Sequence, residues 1–240
     1  MKLQIYHTVN AGLYLWNGKT GLLIDGLHTG KEAGFSDTPE RYIRMMEERK
    51  GFFGQTNDLL FTHTHRDHYN KGLTEKFLEK NPDSFIYGPG LDRNRVQSVL
   101  LEKGVFEARL RDYIIYAFET RHDGKDYAWV PHYSYLIQAG EKRLWISGDA
   151  ALTPFLAEQV KALCGGAGCY AAFVMVYQPG SRSGRKFLQS LLPENIYLYH
   201  LPYREEDGFH YYRMAETVTD KCRKEGIRIK RLRKDSFIEE

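Results

Sequence analysis

Apolar positions along this chain fall into short runs. Residues 3–6, 13–16 and 22–25 have β-type patterns, and Asn17-Gly18 between the last two is a hairpin signal. Asp37-Thr38-Pro39-Glu40 opens a helix that keeps Tyr42, Met45 and Met46 on one face and stops at Gly51. Leu59-Leu60-Phe61-Thr62 reads as a buried strand. Beyond it, helices are expected near 74–80, over 93–103, 154–163, 185–192 and 211–224. Strands are expected over 85–87, 114–118, 134–137, 144–147, 173–177, 196–199 and 227–229. Tyr211, Ala215, Val218 and Cys222 keep helical spacing, which supports the last helix. Two batches of strands with helices between them predict an α/β (α+β) chain whose sheet-rich core is sandwiched by helices.

Composition narrows this picture. The chain has 240 residues with no repeat and no low-complexity linker, so one domain over 1–240 is expected. Apolar residues at 42% and charged residues at 27% exclude disorder and collagen-like repeats. The longest apolar run, residues 169–177, is far shorter than the roughly 18 residues of a membrane span, so no membrane partner is expected. The N-terminus turns polar too soon for a signal-peptide core. Cys164, Cys169 and Cys222 are odd in number and read as reduced thiols, which together place the protein in the cytoplasm. A net charge of +3 is too small for a whole-molecule nucleic-acid footprint. Much of it sits in Lys221, Arg223, Lys224, Arg228, Lys230, Arg231, Arg233 and Lys234, which read as a solvated terminal face.

The chemistry lies at the end of the fourth strand, in His63-Thr64-His65-Arg66-Asp67-His68. In an extended segment His63 and His65 share one side, about 6–7 Å apart, a spacing that suits two ligands of one ion. Asp67 and His68 follow where a turn can swing them toward a second ion. Neutral imidazoles with a carboxylate suit zinc or a neighbouring transition metal. Four further residues sit where predicted strands end: Asp25, His122, Asp149 and His200. Alone, each is the kind of polar residue that caps a strand or forms a turn. Together with the histidine cluster they make a constellation.

That constellation resembles the metallo-β-lactamase-fold hydrolases. His63-x-His65-x-Asp67-His68, preceded by residues 22–25 and followed by His122, Ser147-Gly148-Asp149 and His200, matches in order and spacing from about residue 3 to 232. The resemblance implies a four-layer αββα sandwich with a dinuclear metal site along one edge. It implies His63, His65 and His122 on one ion, Asp67, His68 and His200 on the other, Asp149 bridging, and Asp25 orienting a ligand from behind. His65 stands where the di-iron oxidoreductase branch has Glu, and Asp149 is a carboxylate that the zinc β-lactamases lack. What remains is similar to the branch of glyoxalase II, lactonases, ribonuclease Z and small phosphodiesterases.

The expected activity is therefore hydrolysis of an ester-type bond by a hydroxide shared between two divalent ions, zinc first with manganese or iron as alternatives. Asp67 would orient that hydroxide or take its proton. His210, Tyr203 and His132 are candidate proton donors to the leaving group, with a surface or packing role as the favoured reading of each. Gly180-Ser181-Arg182-Ser183-Gly184-Arg185-Lys186 is placed like an anion cradle ahead of a helix, with a solvated basic turn as the competing reading. Family position would bring Arg121 and Arg204 near the ions. These cations favour a small anionic substrate such as a phosphodiester, ahead of a thioester or lactone. A nuclease acting on RNA or DNA ranks behind, because no long inserted arm is present to grip its substrate. A non-catalytic metal sensor ranks last, because the ligand set is complete.

Overall fold

A computed structural model describes residues 3–91, 96–232 and 236–239. The first half contains β1 (Gln4–His7), β2 (Leu13–Trp16), β3 (Gly21–Ile24), α1 (Glu40–Glu47), β4 (Thr56–Leu60), α2 (Lys71–Lys80) and β5 (Ile86–Tyr87). A meander follows: β6 (Ser98–Glu102), β7 (Val105–Leu110), β8 (Tyr113–Glu119), β9 (Tyr133–Ala139) and β10 (Lys142–Ile146). The remainder alternates α3 (Pro154–Leu163), β11 (Ala171–Met175), α4 (Tyr177–Gly180), α5 (Arg182–Leu191), β12 (Asn195–Tyr199), α6 (Tyr211–Lys224), β13 (Lys230–Arg231) and β14 (Ser236–Glu239).

Strand periodicity explains the layering. Successive side chains point to opposite faces, so a strand buried on both faces needs a continuous apolar run. In β10, Leu144 and Ile146 enter the core between the two sheets, whereas Trp145 points the other way toward Leu156, Phe187 and Leu188 of α3 and α5. Tyr197 and Tyr199 of β12 likewise face the central core, while Ile196 and Leu198 face α5 and α6. On the other sheet, Leu22, Ile24 and Leu60 fill the centre, and Leu23, Leu59 and Phe61 pack beneath α1 and α2 with Tyr42, Met46 and Phe77. Helices on both outer faces of two stacked sheets give the αββα sandwich.

The sheets run β14-β1-β2-β3-β4-β5 and β13-β12-β11-β10-β9-β8-β7-β6. Each changes from antiparallel to parallel pairing part-way, at β3 in the first and β10 in the second. The carboxyl ends of β3, β4, β8, β10 and β12 carry the polar residues singled out above. No helix among the described residues is long and apolar enough to cross a membrane.

The chain departs from expectation at several places. The helix expected over 93–103 is instead strand β6; residues 93–95 lie outside the described residues. A short apolar run suits either element. Here Lys103-Gly104, with Gly104 at φ +75°, turns the chain back so that β6 pairs antiparallel with β7, itself unexpected. The last predicted strand, 227–229, forms at Lys230–Arg231 because Ile227 is taken into the helix-side core. β14, absent from the sequence reading, pairs antiparallel with β1. The basic run is exposed from Lys221 to Arg231 apart from buried Cys222 and Ile227 and half-buried Ile229, with Arg231 on Glu216; Arg233 and Lys234 lie outside the described residues.

The predicted anion cradle is corrected too. Arg185 is buried, and its guanidinium donates to Glu225 Oε2 (2.7 Å) and to the carbonyls of Pro179, Gly180 and Ser181. Ser181 Oγ caps α5 by accepting from Gly184 N–H (2.9 Å). The loop therefore closes the C-terminus of α4 onto α5 and α6. Arg185→Ala is expected to cost about 1–3 kcal/mol of stability in urea unfolding, because charge-assisted bonds are lost and three carbonyls are left bare. An unchanged midpoint would show that the cap contributes nothing.

Candidate metal centre

Two of the strand ends carry unusual backbone. Asp25 (φ +46°) and His200 (φ +62°) both occupy the left-handed region, a cost that surrounding bonds must hold in place. Asp25 N–H donates to Leu60 O (2.9 Å) and His200 N–H to Asn10 O (2.8 Å). Gly148 (φ +52°) precedes Asp149, and a Cβ there would lie 2.6 Å from His132 Nε2, so only glycine fits.

A shell of hydrogen bonds sets the imidazole tautomers. Asp25 is fully buried and accepts from Thr62 N–H (2.8 Å), Thr62 Oγ1 (2.7 Å) and His68 Nδ1 (2.9 Å). Because the Thr62 hydroxyl donates to Asp25, its oxygen accepts from His63 Nδ1 (3.1 Å). His122 Nδ1 donates to Asp123 O (2.6 Å). The Nε2 atoms of His63, His68 and His122 are thereby left facing inward, as metal ligation requires.

Inward they converge. His63, His65 and His122 form one group, and Asp67, His68 and His200 another, with ligand atoms within 4.8 Å of one another in each. His63 Nε2 lies 3.0 Å from His65 Nδ1, and His200 Nε2 lies 2.8 Å from His68 Nε2. Asp149 stands between the groups: Oδ1 is 3.3 Å from His68 Nε2 and 3.4 Å from His200 Nε2, while Oδ2 is 3.6 Å from His122 Nε2. His122 Nε2 and Asp149 Oδ1 are buried with no hydrogen-bond partner among the described residues. Unpartnered, mutually facing donors of this kind fit two metal ions.

Burial and charge act in opposite directions here. Burial holds His63 well below the ordinary histidine value and lowers His65 as well. Burial would also depress His68, but Asp149, Asp25 and Asp67 outweigh it and hold the ring well above that value. Burial would raise Asp67, yet His68 and His200 bring it to about 2; His200 and His68 likewise keep Asp149 ionised.

Two positioning residues escaped the sequence reading of roles. Gln178 makes four bonds, three of them to the loop bearing Asp149 and one to the end of β11. Its Oε1 accepts from Ser147 Oγ (2.8 Å) and Met175 N–H (2.8 Å), and its Nε2 donates to Gly148 O (3.0 Å) and Ala150 O (2.8 Å). His132, a candidate proton donor for which a packing role is the favoured reading, accepts from Asp149 N–H at Nε2 (3.0 Å) and meets Thr120 Oγ1 at Nδ1 (2.7 Å). Burial pushes it down to about 3, so it stays neutral and both nitrogens are committed.

Above the ligands opens a cavity of about 870 Å³. His65, Asp67, His122 and Asp149 form its floor, and Phe35, Tyr127, Met175, Tyr177, Phe209 and Tyr211 line its sides. Among the described residues, none of Arg121, Arg182, Arg185, Arg204, Tyr203 and His210 lines it. Arg121 and Arg182 are exposed, Arg204 lies over the Tyr212 ring, and exposed His210 starts α6. The cation that does line it, Arg66, is paired with Glu32.

Two outcomes follow. Gln178→Ala should lower zinc affinity about 10–100-fold in competition with a chelator, the usual effect of losing a residue that holds a ligand loop. Zinc titration of metal-free protein at about pH 7 should release a proton as the group of Asp67, His68 and His200 fills. His63 and His65, lowered, are already neutral there; His68, raised, must give up its proton. Affinity at Asp67, His68 and His200 thus strengthens as pH rises through the His68 value. Proton release confined to the His63 group would contradict this.

Neither a protein-family model nor a curated protein sequence matches the chain. Solved structures do. The metallo-β-lactamase-fold protein YhfI from Bacillus subtilis aligns at TM-score 0.60 with 12% identity, over 100% of this chain and 99% of that one. The isothiocyanate hydrolase from Delia radicum gut bacteria aligns at 0.67 with 17% identity, over 99% and 98%. CmlA, a diiron β-hydroxylase from Streptomyces venezuelae, aligns at 0.65 with 15% identity, over 99% of this chain and 54% of its own. Two stacked sheets with helices outside, and ligand-type residues gathered at their carboxyl ends, are in this chain the metallo-β-lactamase fold.

Proposed function

We propose that the chain is a metal-dependent hydrolase that cleaves an ester-type bond with two divalent ions, zinc ahead of manganese or iron. The observation that carries this reading is Asp149, whose two oxygens face two different groups of inward imidazoles. His63, His65 and His122 would hold one ion, Asp67, His68 and His200 the other, with Asp149 between them. When bound, such a pair of ions acidifies a water toward a pKa of about 7 and polarises the bond under attack. Asp67, which His68 and His200 keep ionised, would be the carboxylate that accepts a hydrogen bond from that water and orients it. Tyr211, whose hydroxyl burial keeps protonated, lines the same cavity and would hydrogen-bond the leaving group.

An anionic substrate loses its support, because the arginines expected to bind it do not reach the cavity. A carbonyl ester, thioester or lactone becomes the better reading, ahead of a phosphodiester. The isothiocyanate hydrolase acts, by its name, on another uncharged electrophile. A nuclease is disfavoured by the same geometry, since the basic run on α6 and β13 does not line the cavity.

Elemental analysis should find two ions per chain, and fewer than about one after reconstitution would refute the dinuclear reading. In a panel of chromogenic lactones, thioesters and phosphodiesters, His63→Ala and Asp149→Asn should abolish hydrolysis of whichever is cleaved. Both should leave a folded protein, because the core lies between the sheets and the site at their edge. Full activity in either variant would sink the assignment.

A further inference from the structure

The cavity sides carry information that the metal ligands do not. A continuous chain of rings runs outward from His200. Phe35 meets the His200 ring edge-on (4.6 Å, 74°) and stacks on Tyr211 (5.1 Å, 15°), which in turn contacts Tyr177 (5.8 Å) and Phe209 (5.9 Å). Tyr127 packs instead against His65 (5.3 Å) and His122 (5.2 Å), ligands of the other group. The two ion positions are thus each flanked by their own aromatic contacts, with the floor between them.

The rings at the mouth are only half covered. Phe209 is 58%, Tyr127 50% and Tyr177 42% exposed, so each leaves an apolar face in water above the floor. Phe209 is nonetheless held: a Cβ on Gly34 (φ +82°) would fall 1.9 Å from its Cε2, so the ring lies directly against that glycine's backbone. The charge around the rings is negative or cancelled. Glu32 and Asp123 line the cavity, and its one arginine among the described residues, Arg66, is paired with Glu32. On the floor, Asp67 and Asp149 would offset half the charge of two divalent ions.

Resting on the hydrolase reading above, we infer that the substrate carries an uncharged planar ring beside the bond to be cleaved, and that Tyr177, Phe209 and Tyr211 bind this ring. Aromatic faces prefer offset or edge-on partners, and each pair adds to simple burial. An anionic body would meet Asp123 beside the neutralised Arg66–Glu32 pair, with no free cation among the described residues lining the cavity to offset it. A short aliphatic acyl group would leave the outer rings wet.

The test uses zinc-loaded protein and unreactive amides as probes. Phenylacetamide, acetamide and succinamate are titrated by NMR, and the same acyl groups are presented as phenylacetyl, acetyl and succinyl thioesters. Phenylacetamide should bind about tenfold more tightly than either other amide, the size of one to two aromatic pairs. Phe209→Ala and Tyr177→Ala should each remove about threefold or more of that preference with zinc content unchanged. Equal binding of the three amides, or preference for succinamate, overturns the inference whatever is hydrolysed. Selective ring binding without cleavage of any thioester, ester, lactone or phosphodiester would leave the ring site standing and sink the hydrolase reading alone.

Discussion

One buried carboxylate holds the site together. Asp25 has no access to solvent, and a charge in that position is tolerable only if its oxygens are fully engaged. Thr62 supplies two of the bonds, from its amide and its hydroxyl, and His68 supplies the third. The same threonine oxygen then receives His63, so one carboxylate fixes, directly or at one remove, a ligand in each of the two groups. Loss of Asp25 would free Thr62 to rotate and leave His63 and His68 without defined tautomers. The left-handed backbone at Asp25 is what aims the carboxylate across from β3 to the loop after β4.

The second sheet uses a different device for its own contribution. Asp149 stands on a loop whose carbonyls are claimed by Gln178 and whose amide is claimed by His132. Both clamps are neutral, which suits a place where the ionised Asp67 and Asp149 already crowd together. Putting another charge there would disturb the balance that raises His68 and lowers Asp67. The two halves of the sandwich therefore meet at the ligands through unlike scaffolds, a carboxylate on one side and an amide with an imidazole on the other.

The residues proposed as ligands were legible in the sequence because metal chemistry restricts residue type and strand ends restrict position. His63 to His68 forms a dense local signal, and Asp25, His122, Asp149 and His200 each follow an apolar run. The structure brings all of them together. The cavity sides were not legible: Phe35, Tyr127, Tyr177, Phe209 and Tyr211 come from separate turns and helix starts, and an aromatic residue in sequence looks the same whether it is core or wall. Arg185 was misread for a related reason. A basic residue beside glycines resembles an anion site unless the carbonyls it closes are visible. Along the chain, β6 showed that a short apolar segment is decided by its turn, here Lys103-Gly104, rather than by its own pattern.

The contact between Gly34 and Phe209 places the recognition surface outside the hydrogen-bonded ladders that carry the ligands. Phe35, Tyr127 and Phe209 likewise belong to connecting turns, which accept substitution and changes of length far more readily than strand ends do. On the proposed reading, reactivity and selectivity are thus written on different parts of the chain. A descendant of this protein could exchange its turns and acquire a new range of substrates within a few mutational steps, while the ligand framework beneath passed unchanged from one specificity to the next.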